Sequence, residues 1–195
     1  MDPAEQAARL CEEGQQHMAS GSVTAAILDF EQAARLQPAS APCQHQLGAS
    51  YQRAGRPVDA AVAFGKAIEL APECFPAWNG LASVLTSLND LESALAAAQQ
   101  AVTLGPKEPG AYVSLARACQ AKGDSKRAQW AFNQALALHL NQAQALARKR
   151  HFAKGWDQVR AALELAPDHP HAHFCAGVLC LGENNLGEAA QRFGR

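Results

Sequence analysis

A short pattern, Phe-x-x-Ala-x-x-x-x-Pro, recurs along this chain at an interval of 34 residues. It reads Phe30, Ala33 and Pro38, then Phe64, Ala67 and Pro72, then Ala101 and Pro106 without the aromatic residue, then Phe132 and Ala135 without the proline. A fixed interval of this length is typical of solenoids, in which a unit cannot bury its apolar face alone and stacks on its neighbours. The recurrence therefore predicts an array of similar units.

Each of these endings follows a matching first half that is rich in small residues. The first halves contain Gly14, Gly21 and Ala26; Leu47, Gly48, Tyr51, Gly55 and Ala60; Trp78, Leu81, Ala82, Leu85 and Ala94; and Tyr112, Leu115, Ala116, Gly123 and Ala128. Small residues such as Gly48 let two helices approach closely, while Phe64 fills the space between units. A glycine such as Gly55 suits a turn with positive φ, and a proline such as Pro72 stops a helix. The pattern predicts a helix-turn-helix unit in each repeat.

These residues resemble the tetratricopeptide repeat (TPR) family, whose loose pattern is an aromatic residue, Leu-Gly, Tyr, Ala, Phe, Ala and Pro in a unit of 34 residues. The resemblance covers nearly the whole chain and implies an all-α fold, a right-handed superhelical solenoid of antiparallel helix-turn-helix units. We expect one array over residues 1–195. Its units are expected at about 7–40, 41–74, 75–108 and 109–142, with a shortened unit at 143–169 and an incomplete one at 170–195.

The last two units depart from the pattern. Pro167 follows Leu140 by 27 residues rather than 34, so the fifth unit is too short. We expect it to have a truncated first helix near residues 143–152, a turn at Lys154-Gly155 and a second helix near residues 156–166. The sixth unit matches at Gly177, Ala189 and Phe193 but lacks its closing Ala and Pro, which suggests that a longer protein continues beyond it.

Charge, cysteine content and hydropathy exclude several classes of protein. The formal net charge is -1, which provides no global field for nucleic acid or an anionic membrane. The N-terminus has no basic and apolar leader, and no run of 18 apolar residues occurs, so we predict neither secretion nor a membrane partner. Six cysteines without a CxxC pair are predicted to be reduced thiols in a cytoplasmic protein.

No sequence motif for catalysis or for a cofactor stands out. The chain lacks a Gly-rich phosphate loop, GxSxG and HExxH, and we predict that it is not an enzyme and holds no cofactor. His169, His171, His173 and Cys175 form the densest cluster of candidate metal ligands. Because side chains two residues apart diverge on a helix, we favour packing at a helix start over metal binding, with His173 in the aromatic packing column.

Positive charge concentrates between residues 109 and 155, which contain eight Lys or Arg residues and one acidic residue. The run Arg148-Lys149-Arg150 is either a docking patch for an acidic partner or a solvated helix face. A nucleic-acid contact is less favoured because aromatic residues are not interleaved with the basic ones, and an import signal is less favoured because the run is predicted to lie within a helix. Trp130 is either an exposed hot spot or a cover for the shortened fifth unit.

The resemblance also implies where a partner would bind. In TPR proteins the first helix of each unit lines a concave face, where peptides commonly lie. The matching positions give the candidate partner-binding residues Gln15, His45, Gln52, Arg53, Asn79, Ser83, Arg117 and Gln120, to which we add Trp130, Arg148, Lys149 and Arg150. The concave lining contains Arg53 and Arg117 and no acidic residue, so we expect a protein or peptide segment as the partner, with an acidic segment as the candidate.

Two binding devices of the family are missing at the matching positions. The clamp that holds chaperone C-termini would fall on Cys11, Gln15, Gln46, Pro76 and Gly80, and the peptide-binding Asn ladder on Glu12, Gln46, Gly80, Ser114 and Cys175. We therefore predict a non-catalytic protein-interaction scaffold that does not use the carboxylate clamp. The alternative is that these repeats are the substrate-recruiting or dimerising arm of an enzyme, such as a transferase, whose catalytic domain follows residue 195.

Overall fold

The computed structural model describes residues 2–194, without the side chain of Phe193. Within that range the chain forms eleven α-helices and no strand. In chain order these are α1 (Pro3–Ala19), α2 (Val23–Leu36), α3 (Ala41–Arg53), α4 (Pro57–Leu70), α5 (Phe75–Ser87), α6 (Leu91–Leu104), α7 (Pro109–Ala121), α8 (Ser125–Arg148), α9 (Phe152–Leu165), α10 (Pro170–Gly182) and α11 (Leu186–Phe193). The predicted packing of Phe193 and the two ends of the predicted array, Met1 and Arg195, lie outside the described residues.

The helices pack as successive antiparallel pairs, α1 with α2, α3 with α4, α5 with α6, α7 with α8, and α10 with α11. Each pair also packs on the next one, as α2 does on α3 and α4 on α5, and apolar clusters fill the space between pairs. The predicted all-α repeat fold is confirmed.

Phe64 shows how glycine spacing produces this stacking. Its side chain is only 1% exposed. A Cβ added to Gly48 would lie 2.8 Å from the Phe64 ring, and one added to Gly80 in the next unit would lie 2.5 Å from it. Both distances are shorter than any van der Waals contact, so the ring fills the space that the two missing side chains leave. Gly14 and Phe30 make the same contact in the first unit.

One turn geometry closes the six helical hairpins of residues 2–194. In each, a residue with positive φ donates its N–H to the carbonyl three residues earlier, and the following N–H donates to the carbonyl five residues before itself. The positive-φ residues are Gly21, Gly55, Asn89, Gly123, Arg150 and Asn184. This is the Schellman arrangement, which satisfies the last carbonyls of a helix and favours Gly or Asn. The positive φ predicted for Gly21, Gly55 and Gly123 is confirmed.

The fifth unit differs from its prediction. Helix α8 runs without a break through Ser125–Arg148 and provides both the second helix of the fourth unit and the first helix of the fifth. Elsewhere a linker of four residues separates these two helices, but here Leu140 replaces the expected proline and no Gly or Pro occurs from residue 125 to 148. With no helix breaker, the backbone hydrogen bonds simply continue.

The predicted turn at Lys154-Gly155 is therefore wrong, as is a first helix extending to residue 152. The turn lies at residues 149–151, with Arg150 at φ 59°, and α9 begins at Phe152. Gly155 is buried inside α9, where an added Cβ would lie 2.8 Å from Leu179 Cδ2. This glycine permits close helix packing and does not form the turn.

Candidate protein-binding surface

The first helices of the units lie side by side: α3 packs on α5, α5 on α7, and the C-terminal half of α8 is followed by α10. Arg53 Nη1 on α3 donates to the Met18 carbonyl at the end of α1, 3.3 Å away, which links the first two. We call the surface formed by α1, α3, α5, α7, the C-terminal half of α8, and α10 the first-helix face. The eight residues from Gln15 to Gln120 that the sequence predicted as a concave lining all lie on these helices.

Several of these predicted residues are engaged within the fold. Gln52 Nε2 donates to Ser83 Oγ at 2.9 Å, which ties α3 to α5. The His45 ring is half-buried at 5.8 Å from the Phe64 ring, and burial lowers the pKa of His45, so the imidazole is neutral at pH 7. The amide oxygen of Asn79 is buried and has no hydrogen-bond partner. This part of the face is polar.

The other predicted residues on this face are more accessible. Gln15 on α1 and both Arg117 and Gln120 on α7 are exposed. Arg117 takes part in no ion pair among the residues that the structure describes. These three side chains are available to an extended ligand, but they lie on different helices and do not form a single cluster.

A recess of about 500 Å³ opens where the fused helix α8 meets α9 and α10. We call it the α8–α10 pocket. Its lining consists of Gln144, Ala147 and Arg148 from α8, Arg150 from the turn, Phe152 from α9, and Phe174, Val178 and Gly182 from α10. Carbon atoms form most of its surface. Such a concave apolar site with a few polar groups is the usual form of a binding pocket.

The basic run lies at the edge of this pocket. Arg148 ends α8, and Lys149 and Arg150 form the turn, so the prediction that the run lies within a helix is wrong. All three side chains are exposed, and none forms an ion pair with a described residue. Arg148 and Arg150 of the basic run therefore line the α8–α10 pocket, whereas none of the eight predicted residues from Gln15 to Gln120 lines it.

Phe174 forms the wall of the pocket on the side of α10. Its ring stacks on His171 with centroids 5.8 Å apart and planes 8° from parallel, and it is 49% exposed. Gln144 Nε2 on α8 donates to His171 Nε2 at 2.9 Å, which ties the two helices together beside the pocket. The sequence analysis missed the lining residues Gln144, Ala147 and Phe152 because it placed the turn too late.

His173 occupies the aromatic packing column, as the sequence predicted. Its side chain is buried, and Nε2 donates to the Pro167 carbonyl six residues earlier at 2.9 Å. Trp78 Nε1 donates to the Pro72 carbonyl at 2.7 Å, and the Tyr112 hydroxyl to the Pro106 carbonyl at 3.3 Å. The shared offset of six residues identifies one packing role in three units. No group of three candidate metal ligands occurs among residues 2–194.

Trp130 lies apart from the pocket. It is 51% exposed, and its ring makes an edge contact with Tyr112 at a centroid distance of 6.0 Å. Eighteen residues of helix separate it from Arg148, which is about 27 Å along the axis of α8. The indole contacts Tyr112 of the fourth unit, and its role as a binding hot spot stays a prediction.

Comparison with known proteins places these features in a family. The family model described as "Tetratricopeptide repeat" matches residues 45–109 and 140–195. No curated protein matches the sequence significantly. Among residues 2–194, no helix is long and apolar enough to cross a lipid bilayer.

Solved structures share the fold at low sequence identity. MamA of Desulfovibrio magneticus is 20% identical with a TM-score of 0.58, over 97% of this chain and 92% of that one. The pilF protein of Pseudomonas aeruginosa is 16% identical with a TM-score of 0.63, over 98% and 90%. The first TPR domain of Spaghetti (RPAP3), bound to an HSP90 peptide, is 20% identical with a TM-score of 0.60, over 62% and 95%. The family match spans more than half of the sequence, and the chain belongs to the tetratricopeptide repeat family.

Proposed function

We propose that this chain is a non-catalytic protein-interaction scaffold that holds a segment of a partner protein on its first-helix face. The observation that carries the proposal is the α8–α10 pocket, an apolar recess lined also by two exposed cations, Arg148 and Arg150, that form no ion pair with a described residue. A protein segment can fill the recess with a side chain while its backbone and charged groups reach the edge. Family membership supports the same class of function.

A TPR domain of similar fold supports a peptide as the occupant. The RPAP3 domain was solved with an HSP90 peptide of sequence SRMEEVD, which is acidic. In this chain the positions of the family's carboxylate clamp contain Cys11, Gln15, Gln46, Pro76 and Gly80, and no cation is among them. We therefore propose that an acidic segment binds here through the arginines of the basic turn and not through that clamp.

The cysteines support a reducing, cytoplasmic setting for this interaction. The six thiols are free, and four of them, Cys43, Cys119, Cys175 and Cys180, are buried. Burial raises the pKa of each of these four thiols, so they remain protonated and pack as small apolar groups.

Affinity capture from extracts of the native cells tests the proposal. The bait is the 195-residue chain, compared with two charge-reversed pairs, Arg53→Glu with Arg117→Glu and Arg148→Glu with Arg150→Glu. We expect a defined partner that is retained by the first pair and lost with the second, while circular dichroism shows unchanged helicity in both. A partner lost only with the first pair would move the site to α3 and α7. Capture of no specific partner by the unaltered chain would contradict the scaffold function.

A further inference from the structure

We infer that the α8–α10 pocket recognises an acidic-apolar peptide segment, in which a bulky apolar side chain enters the pocket and flanking carboxylates pair with Arg148 and Arg150. This inference rests on the proposed function and specifies the chemistry of the partner. It does not depend on the carboxylate clamp or on an Asn ladder, because the residues at those positions here cannot form either.

The size and lining of the pocket fit an apolar side chain. Its volume of about 500 Å³ falls within the roughly 300–1,000 Å³ of typical binding clefts. Phe152 and Phe174 wall it on two sides, and Val178 and Ala147 contribute further apolar surface. A leucine or phenylalanine side chain would remove this surface from water, which is the main favourable term in most protein associations.

The guanidinium groups of Arg148 and Arg150 fit carboxylates and form no ion pair with a described residue. Glu183, which follows the lining residue Gly182, accepts a hydrogen bond from Trp156 Nε1 at 2.9 Å. Asp157 in α9 pairs with Arg160. These acidic groups are therefore engaged elsewhere, and Arg148 and Arg150 remain able to form the bidentate contacts that guanidinium groups make with carboxylates.

The backbone at Arg150 provides a second, independent observation. Five of the six hairpin turns of the described chain place Gly or Asn at the positive-φ position, and the sixth places Arg150 there with φ 59°. An arginine side chain is disfavoured in this conformation, and no ion pair with a described residue compensates for it. Residues kept in such conformations cluster at ligand sites, where the side chain is needed for binding.

Fluorescence polarisation with synthetic peptides tests this chemistry on the 195-residue chain. The first labelled probe carries Leu and Phe between Asp and Glu residues. A second probe replaces the apolar pair by Ser, and a third replaces the acidic residues by Lys. We expect saturable binding of the first probe only, with affinity that falls as salt is added because the charge pairs are exposed.

Matched variants separate the pocket from the rest of the surface. Ala147→Phe fills the pocket, and its control is Val62→Phe, which adds an aromatic ring at a position of α4 that is 56% exposed. Arg148→Glu has Lys66→Glu as its control, because Lys66 is also an exposed cation on a helix and lies on α4, outside the first-helix face. We expect about tenfold or greater loss of affinity for the pocket variants and less than about twofold for the controls, a difference of about 1.4 kcal/mol.

The variant Arg150→Gly distinguishes recognition from a structural role, because it removes the cation while relieving the backbone. We expect weaker peptide binding by a protein that is at least as stable as the original. If neither Arg150→Gly nor Arg148→Glu changes the affinity, the inference is wrong. It is also wrong if the Lys probe binds equally well, if single-stranded RNA displaces the acidic probe, or if no probe binds. If no probe binds but the chain with Arg148→Glu and Arg150→Glu still captures a partner from the extract, the scaffold function is retained and only this inference is wrong.

Discussion

Replacing Arg150 by glycine should stabilise the protein, which is unusual for a change at a helix terminus. Arg150 is the positive-φ residue of the turn between α8 and α9, where its N–H donates to the Ala147 carbonyl at 2.9 Å. An L-residue in this conformation is disfavoured by roughly 1–2 kcal/mol, and glycine is not. The greater freedom of glycine in the unfolded chain offsets about 0.5–1 kcal/mol of that gain. We expect a net stabilisation of about 0.5–1 kcal/mol, which is about 1–4 °C in Tm for a chain of this size.

The reciprocal change at Gly123 provides a matched control. Gly123 has φ +84° in the equivalent turn between α7 and α8, and a Cβ added there would meet no atom within 4 Å. Gly123→Arg therefore introduces the backbone penalty without a steric clash, and we expect it to destabilise the chain by about 0.5–1 kcal/mol. Urea unfolding followed by circular dichroism measures both variants, and an unchanged m value shows that the midpoint shift reports stability.

Together the two variants test whether the positive φ at these two turns has an energetic cost for a residue other than glycine. If Gly123→Arg destabilises the chain but Arg150→Gly does so too, the Arg150 side chain makes a stabilising contact that outweighs its backbone conformation. If neither variant changes the midpoint, the positive φ at these two turns has no energetic consequence. Either result would remove the argument that Arg150 is retained for binding.

Three further predictions concern packing and ionisation. Gly80→Ala should destabilise the chain by about 1–3 kcal/mol in urea unfolding, because its Cβ would lie 2.5 Å from the Phe64 ring. Gly65→Ala, whose Cβ meets nothing within 4 Å, should instead stabilise it by about 0.5–1 kcal/mol, and equal effects would contradict the packing. Burial lowers the pKa of His45 from 6.5, so the unfolded chain binds a proton more readily, and Tm should fall as pH drops below that value. His45→Gln should lessen this pH dependence, and an identical dependence in the variant would exclude His45 as its cause. Burial, with Cys11 beside it, raises the pKa of the Cys43 thiol to about 12, so Cys43 should resist iodoacetamide at neutral pH in the folded protein, and mass spectrometry would reveal rapid alkylation if this is wrong.

The regular units could be predicted from the sequence because their determinants are local and repeated. Phe64 needs small residues on the helices that it touches, and Gly48 is one of them at the family's position. Gly80, the other, lies two residues before the equivalent position Ala82 and was not predicted. Glycines such as Gly55 identify the turns because few other residues adopt their φ. Four units in phase therefore predicted both the helices and their pairing.

The fifth unit and its pocket could not be predicted in the same way. Its turn depends on Arg150, which carries no turn signal, whereas the nearby Gly155 suggested a turn but serves helix packing. The sequence shows that no helix-breaking Gly or Pro occurs near Leu140. Predicting the fused helix α8 also requires knowing that the four-residue linker between the other units can be absent here. The pocket depends on contacts between α8 and α10, such as that between Gln144 and His171, which no local pattern encodes.

We propose that partner segments bind where the fused helix α8 meets α10. Hydrogen–deuterium exchange tests this proposal. It is measured by mass spectrometry on the 195-residue chain alone and on the chain saturated with its captured partner or the acidic-apolar peptide. We predict slower exchange in residues 144–152 and in α10, with α2 and α4 unchanged. Protection confined to α1–α4, or none at saturation, would contradict the claim.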